Sequence, residues 1–301
     1  MRTFIIFIAL LLSSTALPAQ EITGRVISES GEGVSFANIF LRERNIGIVS
    51  DINGQYRLPR HILDARTDTL VISSIGFDTQ RIPISVFAQQ VAAGNTTIVL
   101  TSNYTVLPEF VATPRPAREY GMFNLTRGVA VLYGRPTRML MAFVENTSNE
   151  QKLINTVNVR LRDHREIGIE KMRVFFYQRT EDGVFQNIRV ADEDIFITDF
   201  SQERIRHDVS ELFIPFPAEG IFVGFELIGE ANVVHDFDED QSQNIGMGIS
   251  STRRARGSFT YVLDENNNWI NLQETIIVEH YPRRIQHLIN NLNAAVGITA
   301  H

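Results

Sequence analysis

Apolar and polar side chains alternate with a period of two along most of this chain, which predicts β-strands rather than helices. Residues 21–30 and 35–42 alternate on either side of Gly31-Glu32-Gly33, and residues 46–51 and 55–58 flank Asp51-Ile52-Asn53-Gly54. In that second stretch Asn53-Gly54 supplies the positive φ angles of a tight hairpin turn. Residues 69–75 are rich in β-branched side chains and stop at Gly76; 77–85 and 96–101 complete about seven strands, the number of a small Greek-key sandwich. A second, longer-stranded series follows at 139–146, 156–162, 171–179, 204–211, 221–229, 245–252, 257–263 and 274–281. That spacing suits a jelly-roll-like sandwich. Between the two series, Pro108, Pro114 and Pro116 with Arg115, Arg118 and Glu119 make 104–120 a stiff polar connector. Only after Pro282 does the period change. There Ile285, Leu288, Ile289, Leu292 and Val296 fall at helical spacing and predict a short closing helix over 283–295, laid on a sheet edge or face.

The first residues have a different character. Arg2 is followed by an unbroken apolar run over 4–12 and by small residues over 13–19, the layout of a secretion signal cleaved after Ala19. The run is far shorter than the ~20 residues that cross a bilayer, so no membrane span is expected once the signal is removed. The expected division is therefore a signal over 1–19, a first sandwich over 20–102, a proline-rich connector over 103–120 and a second sandwich over 121–301.

Composition narrows the chemistry. With 44% hydrophobic and 21% charged residues the chain can build ordinary cores. A net charge of −7 argues against a nucleic-acid surface, which needs a basic excess to replace phosphate counterions. Cysteine is absent, which removes disulfides, thiolate metal sites and cysteine nucleophiles. Lysine occurs only at Lys152 and Lys171, so the cations are almost all arginine, suited to pinned bidentate contacts rather than Schiff-base chemistry.

Four stretches carry a family resemblance: Thr23-Gly24-Arg25-Val26, Gly33-Val34-Ser35-Phe36-Ala37-Asn38-Ile39, Ser50-Asp51-Ile52-Asn53-Gly54-Gln55-Tyr56 and Leu70-Val71-Ile72-Ser73-Ser74-Ile75-Gly76-Phe77. Together they resemble the carboxypeptidase-like regulatory domain, over about residues 21–102. The resemblance implies a transthyretin-like β-sandwich without peptidase residues, of the kind placed after the signal peptide in outer-membrane proteins of some Gram-negative bacteria. In TonB-dependent receptors such a domain precedes a plug and a barrel, and Val106-Leu107-Pro108-Glu109-Phe110-Val111-Ala112-Thr113 resembles the segment that opens the plug. The chain as given ends too soon for a plugged barrel of about 22 strands of about 10 residues each, so a transporter is not expected. Residues 169–177 and 214–224 resemble the C-terminal half of stand-alone members of the same family.

Candidate chemistry is sparse. Asp236, Asp238 and Asp240 sit at alternate positions, like the first three ligands of a calcium loop, but Gln241 stands where the turn glycine belongs and Met247 where the bidentate Glu should be. A solvated acidic loop is the competing reading. Asp192 and Asp194 share one strand face and could pair for acid–base work on a sugar, although any acidic chain offers such pairs. The seven histidines show no metal spacing, and no nucleophile elbow, phosphate loop or dinucleotide fingerprint is present. Trp269, the only tryptophan, could form a sugar platform or cap a core; Arg253 and Arg254, with Arg256, could hold an anionic glycan or merely solvate a loop. In Phe175-Phe176-Tyr177 one face must be core, while the other exposes Phe176 or is covered too.

The expectation that gathers these points is an all-β exported protein of the cell envelope, periplasmic, outer-membrane-associated or secreted. It would act as a non-catalytic binding or assembly module toward an envelope protein or a glycan, with no cofactor unless calcium binds. The alternative is a glycan-binding or glycan-processing jelly roll.

Overall fold

The computed structural model describes residues 21–301 except 45, 107–115, 123–127, 135–138, 149, 163–168, 181–184, 190–193, 230–234, 237–244, 252–259, 264–268, 272–291 and 295. Its first half holds β1 (Glu21–Ser28), β2 (Asn38–Leu41), β3 (Ile46–Val49), β4 (Gln55–Pro59), β5 (Thr69–Ser73), β6 (Gln80–Pro83), the helix α1 (Ile84–Ala92) and β7 (Thr97–Leu100). Next come β8 (Thr105–Val106), β9 (Arg118–Gly121), β10 (Gly128–Gly134), β11 (Met139–Val144), β12 (Lys152–Arg162), β13 (Ile169–Arg179), β14 (Phe185–Arg189) and β15 (Ile195–Ile197). The chain continues through β16 (Arg204–Asp208), β17 (Pro215–Phe216), β18 (Ile221–Gly229), β19 (His235–Asp236) and β20 (Ile245–Ser251). It closes with β21 (Thr260–Leu263), β22 (Trp269–Asn271), β23 (Leu292–Ala294) and β24 (Val296–Ala300).

The first sandwich stacks a sheet of order β4-β1-β7 on a sheet of order β3-β2-β5-β6. Alternation sends Ile22 and Val26 of β1, Ile39 and Leu41 of β2, Tyr56 and Leu58 of β4 and Leu70 and Ile72 of β5 into one shared core. The paired runs of the sequence are not hairpins. β1 pairs with β4 and β7, while β2 pairs with β3 and β5, so Gly31–Gly33 and Asp51–Gly54 carry the chain from one sheet to the other. Such crossings let consecutive alternating runs face the same core from opposite sides. The Asn-Gly turn itself forms: Asp51 Oδ1 accepts from the amides of Asn53 and Gln55, and Gly54 sits at φ +75°.

The stretch 77–85 is not one strand. It is β6 followed by α1, whose Ile84 and Phe87 are buried against the same core. Pro83 precedes the first helical residue, and the apolar positions Ile84, Phe87 and Val91 lie on one helical face.

In the second sandwich, β9, β10, β12, β16, β17, β20, β23 and β24 form one sheet and β8, β11, β13, β14, β15, β18, β21 and β22 the other. Their inner faces meet in a core that includes Leu140, Val157, Val159, Val174, Phe176, Val223, Phe225 and Ile298. Ile154 and Val157 both point inward although three residues apart, because a register shift between Ile154 and Thr156 inserts one residue into β12. The connector expected over 103–120 begins and ends in strands: β8 adds to β14 and β9 adds to β24.

The closing helix is corrected at its end. Residues 292–294 form β23 against β20, and 296–300 form β24 between β12 and β9. Leu292, Ala294, Val296, Ile298 and Ala300 alternate, and pairing on both sides of β24 favours that period over the helical one. Among the described residues no helix is long and apolar enough to cross a membrane.

Candidate functional site

Strands β13 and β18 are central in their sheet, and their outer face is largely covered. Every one of the nine residues of β18 is buried. Their inward sets are Met172, Val174 and Phe176, and Ile221, Val223, Phe225 and Leu227. The outward set of β13 is Lys171, Arg173, Phe175 and Tyr177, paired in register with Ile228, Glu226, Gly224 and Phe222 of β18. Phe176 is therefore core, and Phe175 and Tyr177 occupy the outer face, the reverse of the expected assignment. A β-bulge in β13 between Ile169 and Lys171 precedes this stretch.

One end of this outer face is covered by the first sandwich. Arg173, 1% exposed, donates from Nη2 to the Ser35 carbonyl at 2.7 Å and from Nη1 to Ser74 Oγ at 3.3 Å. Its Nη1 also lies 3.2 Å from Glu226 Oε2 and its Nε 3.4 Å from Asp194 Oδ2. Glu226 Oε1 accepts from Asn38 Nδ2 at 2.7 Å, and Ser35 Oγ donates to Asp194 Oδ2 at 2.8 Å. The ion pair is close but poorly angled, since Arg173 Nε and Glu226 Oε2 have no hydrogen-bond partner. Burial pushes the Glu226 carboxyl above its usual range, with Arg173 and Asn38 opposing that shift. Glu226 is 0% exposed, so no substrate atom reaches it and its raised pKa belongs to the junction, not to acid–base catalysis.

Phe36 enters the same junction as a wedge. Its backbone is left-handed, at φ +50°, which costs a non-glycine residue about 1–2 kcal/mol. The ring is 4% exposed, edge-on to Phe196 at 5.4 Å, with Lys171 Nζ 4.1 Å above its face. Burying a phenylalanine contributes about 1.5–3 kcal/mol and an edge-to-face pair about 0.5–1.5 more, enough to offset the strain. A second tie is β19, whose two residues extend the first sandwich by pairing with Ile46 and Gly47 of β3.

The other end of the outer face is aromatic and half-covered. Trp269 lies 5.6 Å from Tyr177 and 6.0 Å from Phe175, while Phe185, Phe222 and Tyr261 stack edge-to-face beside them. The Phe175 ring rests on Gly224, where an added Cβ would come within 2.0 Å of it. Burial pushes the Tyr177 hydroxyl up to about 12. Between this aromatic end and the first sandwich runs a groove of about 550 Å³, lined among others by Ser35, Ser74, Tyr104, Phe175, Asn187 and Asp194.

Of the residues singled out in the sequence, Trp269 stands on the aromatic end, half-buried, as part of a cluster rather than an isolated platform. Asp194 stands at the groove; Asp192 lies outside the described residues, as do Arg253, Arg254, Asp238 and Asp240. For Asp236 the backbone alone is described, in β19. Among the described residues no three His, Asp or Glu side chains converge as metal ligands. The junction residues Asn38, Arg173 and Glu226 were missed. The available signal was Glu226 itself, the only charged residue in the apolar run Ile221–Gly229, which marks a buried charge in need of a partner.

Comparisons with known proteins bear on the first half. No curated protein matches the chain. Among solved structures, the cysteine protease and lectin-like domains of Cwp84, a surface layer associated protein of Clostridium difficile, align at 12% identity and a TM-score of 0.36. That alignment covers 63% of this chain and 37% of the other, a likeness too distant to bear on fold or function. The family model described as CarboxypepD_reg-like domain matches residues 22–112. The first sandwich, with its two crossing turns and the Asn-Gly corner, is thus a carboxypeptidase-like regulatory domain.

Proposed function

We propose that this is an exported cell-envelope protein, periplasmic, outer-membrane-associated or secreted, that acts as a non-catalytic binding or assembly module. Its binding site is the groove between the two sandwiches. The observation that carries this reading is that the groove is built by residues of both halves, Ser35 and Ser74 on one side and Arg173 and Asp194 on the other. Preformed concave sites at such junctions are where ligands bind, and this one has the size of a small-molecule or side-chain site. Two of its ionisable groups, Arg173 and Asp194, take part in holding the walls together, which suits binding rather than turnover.

A photo-cross-linker at position 52, on the groove rim, tests the reading against one at position 213, which is equally exposed but outside the groove. Adducts formed from 52 and not from 213, together with silence on a hydrolase panel, support it. Saturable turnover abolished by Asp194→Asn would overturn it. Export is tested by fractionation and N-terminal sequencing, with Gln20 as the expected first residue of the mature chain.

The alternative, a glycan-binding or glycan-processing protein, draws on the half-exposed aromatic end with Trp269, Tyr177 and Tyr261. Rings in that position can stack on sugar faces, and a glycan array with Trp269→Ala as control decides between the two.

A further inference from the structure

Resting on the binding reading above, we infer that the groove between the sandwiches takes a cation: an ammonium or guanidinium group on an aliphatic stem, presented by a free amine or by a basic side chain of a partner polypeptide. The argument turns on which polar groups of the groove a ligand can still use. Arg173 is the one cation among the described lining residues; its Nη1 and Nη2 are turned inward, to Ser74, Glu226 and the Ser35 carbonyl, and its Nε is buried without a hydrogen-bond partner. At 1% exposure it offers a ligand nothing. Lys171 does not line the groove; its Nζ lies over the Phe36 ring and 5.4 Å from the centre of the Phe196 ring. Arg25, beside the Gly33 rim, is turned to the Asn53 carbonyl.

What remains is acceptor and π surface. Asp194 keeps 37% of its side chain exposed, and among the described residues it is its Oδ2 that is engaged, by Ser35 and Arg173. Glu32, at the rim, is exposed. Phe77 and Tyr104 line the same space, half-buried, whereas the Phe196 ring is already met by Phe36, Lys171 and Arg173. A lining that offers carboxylates and rings, with its one cation buried, complements a ligand that carries donors alone, as ammonium and guanidinium groups do. A neutral sugar, which needs donors as much as acceptors, is served less well. Within the lining an anion would face Asp194 and Glu32 with only the buried Arg173 as counter-charge, the exposed Arg25 standing outside the lining.

Calorimetric titration of the mature chain tests this with four probes: arginine amide, the peptide Gly-Arg-Gly, glutamate and maltose. The two cations are expected to bind, glutamate and maltose not, and added salt to weaken the cations. Asp194→Asn should weaken cation binding by about tenfold or more, as expected for a lost charge-assisted contact. Asn38→Ala, which loosens the junction behind the groove and leaves every groove charge in place, should change it less than about twofold. Stronger binding of the peptide points to a partner polypeptide, and equal binding to a free amine; either supports the inference. Binding of glutamate or maltose without the cations would overturn it while leaving the groove as a site. Equal loss in Asp194→Asn and Asn38→Ala would overturn it too, because junction geometry and not charge would then govern binding. No binding by any probe, with no adduct from position 52, would remove both the inference and the reading beneath it.

Discussion

Asn38 of the first sandwich and Glu226 of the second, 188 positions apart in sequence, meet in a solvent-free hydrogen bond of 2.7 Å. Glu226 also faces Arg173, so a single buried carboxylate joins the two halves of the chain. Removing one member of a buried pair strands the other, whereas replacing both with matched neutral or apolar groups is often tolerated. Arg173→Ala is therefore expected to cost about 3–5 kcal/mol. Arg173→Met combined with Glu226→Gln should recover most of that loss. Denaturant unfolding of the three variants measures it, and a double variant as weak as Arg173→Ala would show that the pair itself, not the stranded charge, holds the junction.

Glu226 also sets a pH dependence. Its folded-state pKa is raised, chiefly by burial. Between the unfolded and folded values the native state holds a proton that the unfolded chain has released, so the contribution is fully present below the ordinary carboxylate range and is lost as pH rises through the folded value. The stability difference between wild type and Glu226→Gln should thus shift against wild type as pH is raised above that range. Parallel stability profiles for the two proteins would mean that Glu226 does not titrate abnormally.

Gly54 anchors the crossing from β3 to β4. It combines φ +75° with a Cβ position 2.3 Å from the Val26 carbonyl oxygen. Gly54→Ala thus adds a clash to left-handed strain and should cost about 2–4 kcal/mol. An unchanged denaturation midpoint would contradict the turn.

Trp269 is the only tryptophan, so its fluorescence reports on the aromatic end alone. Gly224→Ala must displace the Phe175 ring, which contacts Trp269 at 6.0 Å. The Trp269 emission should shift in Gly224→Ala, and in absorbance titration Tyr177 should ionise near 12, well after exposed tyrosines. An unmoved spectrum would separate Trp269 from Phe175.

Several of these features were legible in the sequence and others were not, for physical reasons. Strands such as β1 and β18 announce themselves because one face, or both, must be apolar, and the carboxypeptidase-like regulatory domain was recognisable from its turn residues. The partner of a strand is less visible: β1 and β2 alternate alike whether they pair with each other or face each other across a core. Helix α1 was hidden because Ile82 and Ile84 continue a strand-like alternation up to its first turn. β24 was hidden because Leu292 and Val296 fit both periods, and only its two neighbours decide between them. The junction was least legible of all, since nothing local ties Asn38, Arg173 and Glu226 together.

Scanning calorimetry of residues 20–301 tests the central claim most directly, because the groove is walled by both sandwiches and Arg173 and Glu226 join them. A single transition, with equal calorimetric and van't Hoff enthalpies, that splits in Arg173→Ala is the predicted result. Two independent transitions in the wild-type protein, unaltered by that substitution, would contradict it.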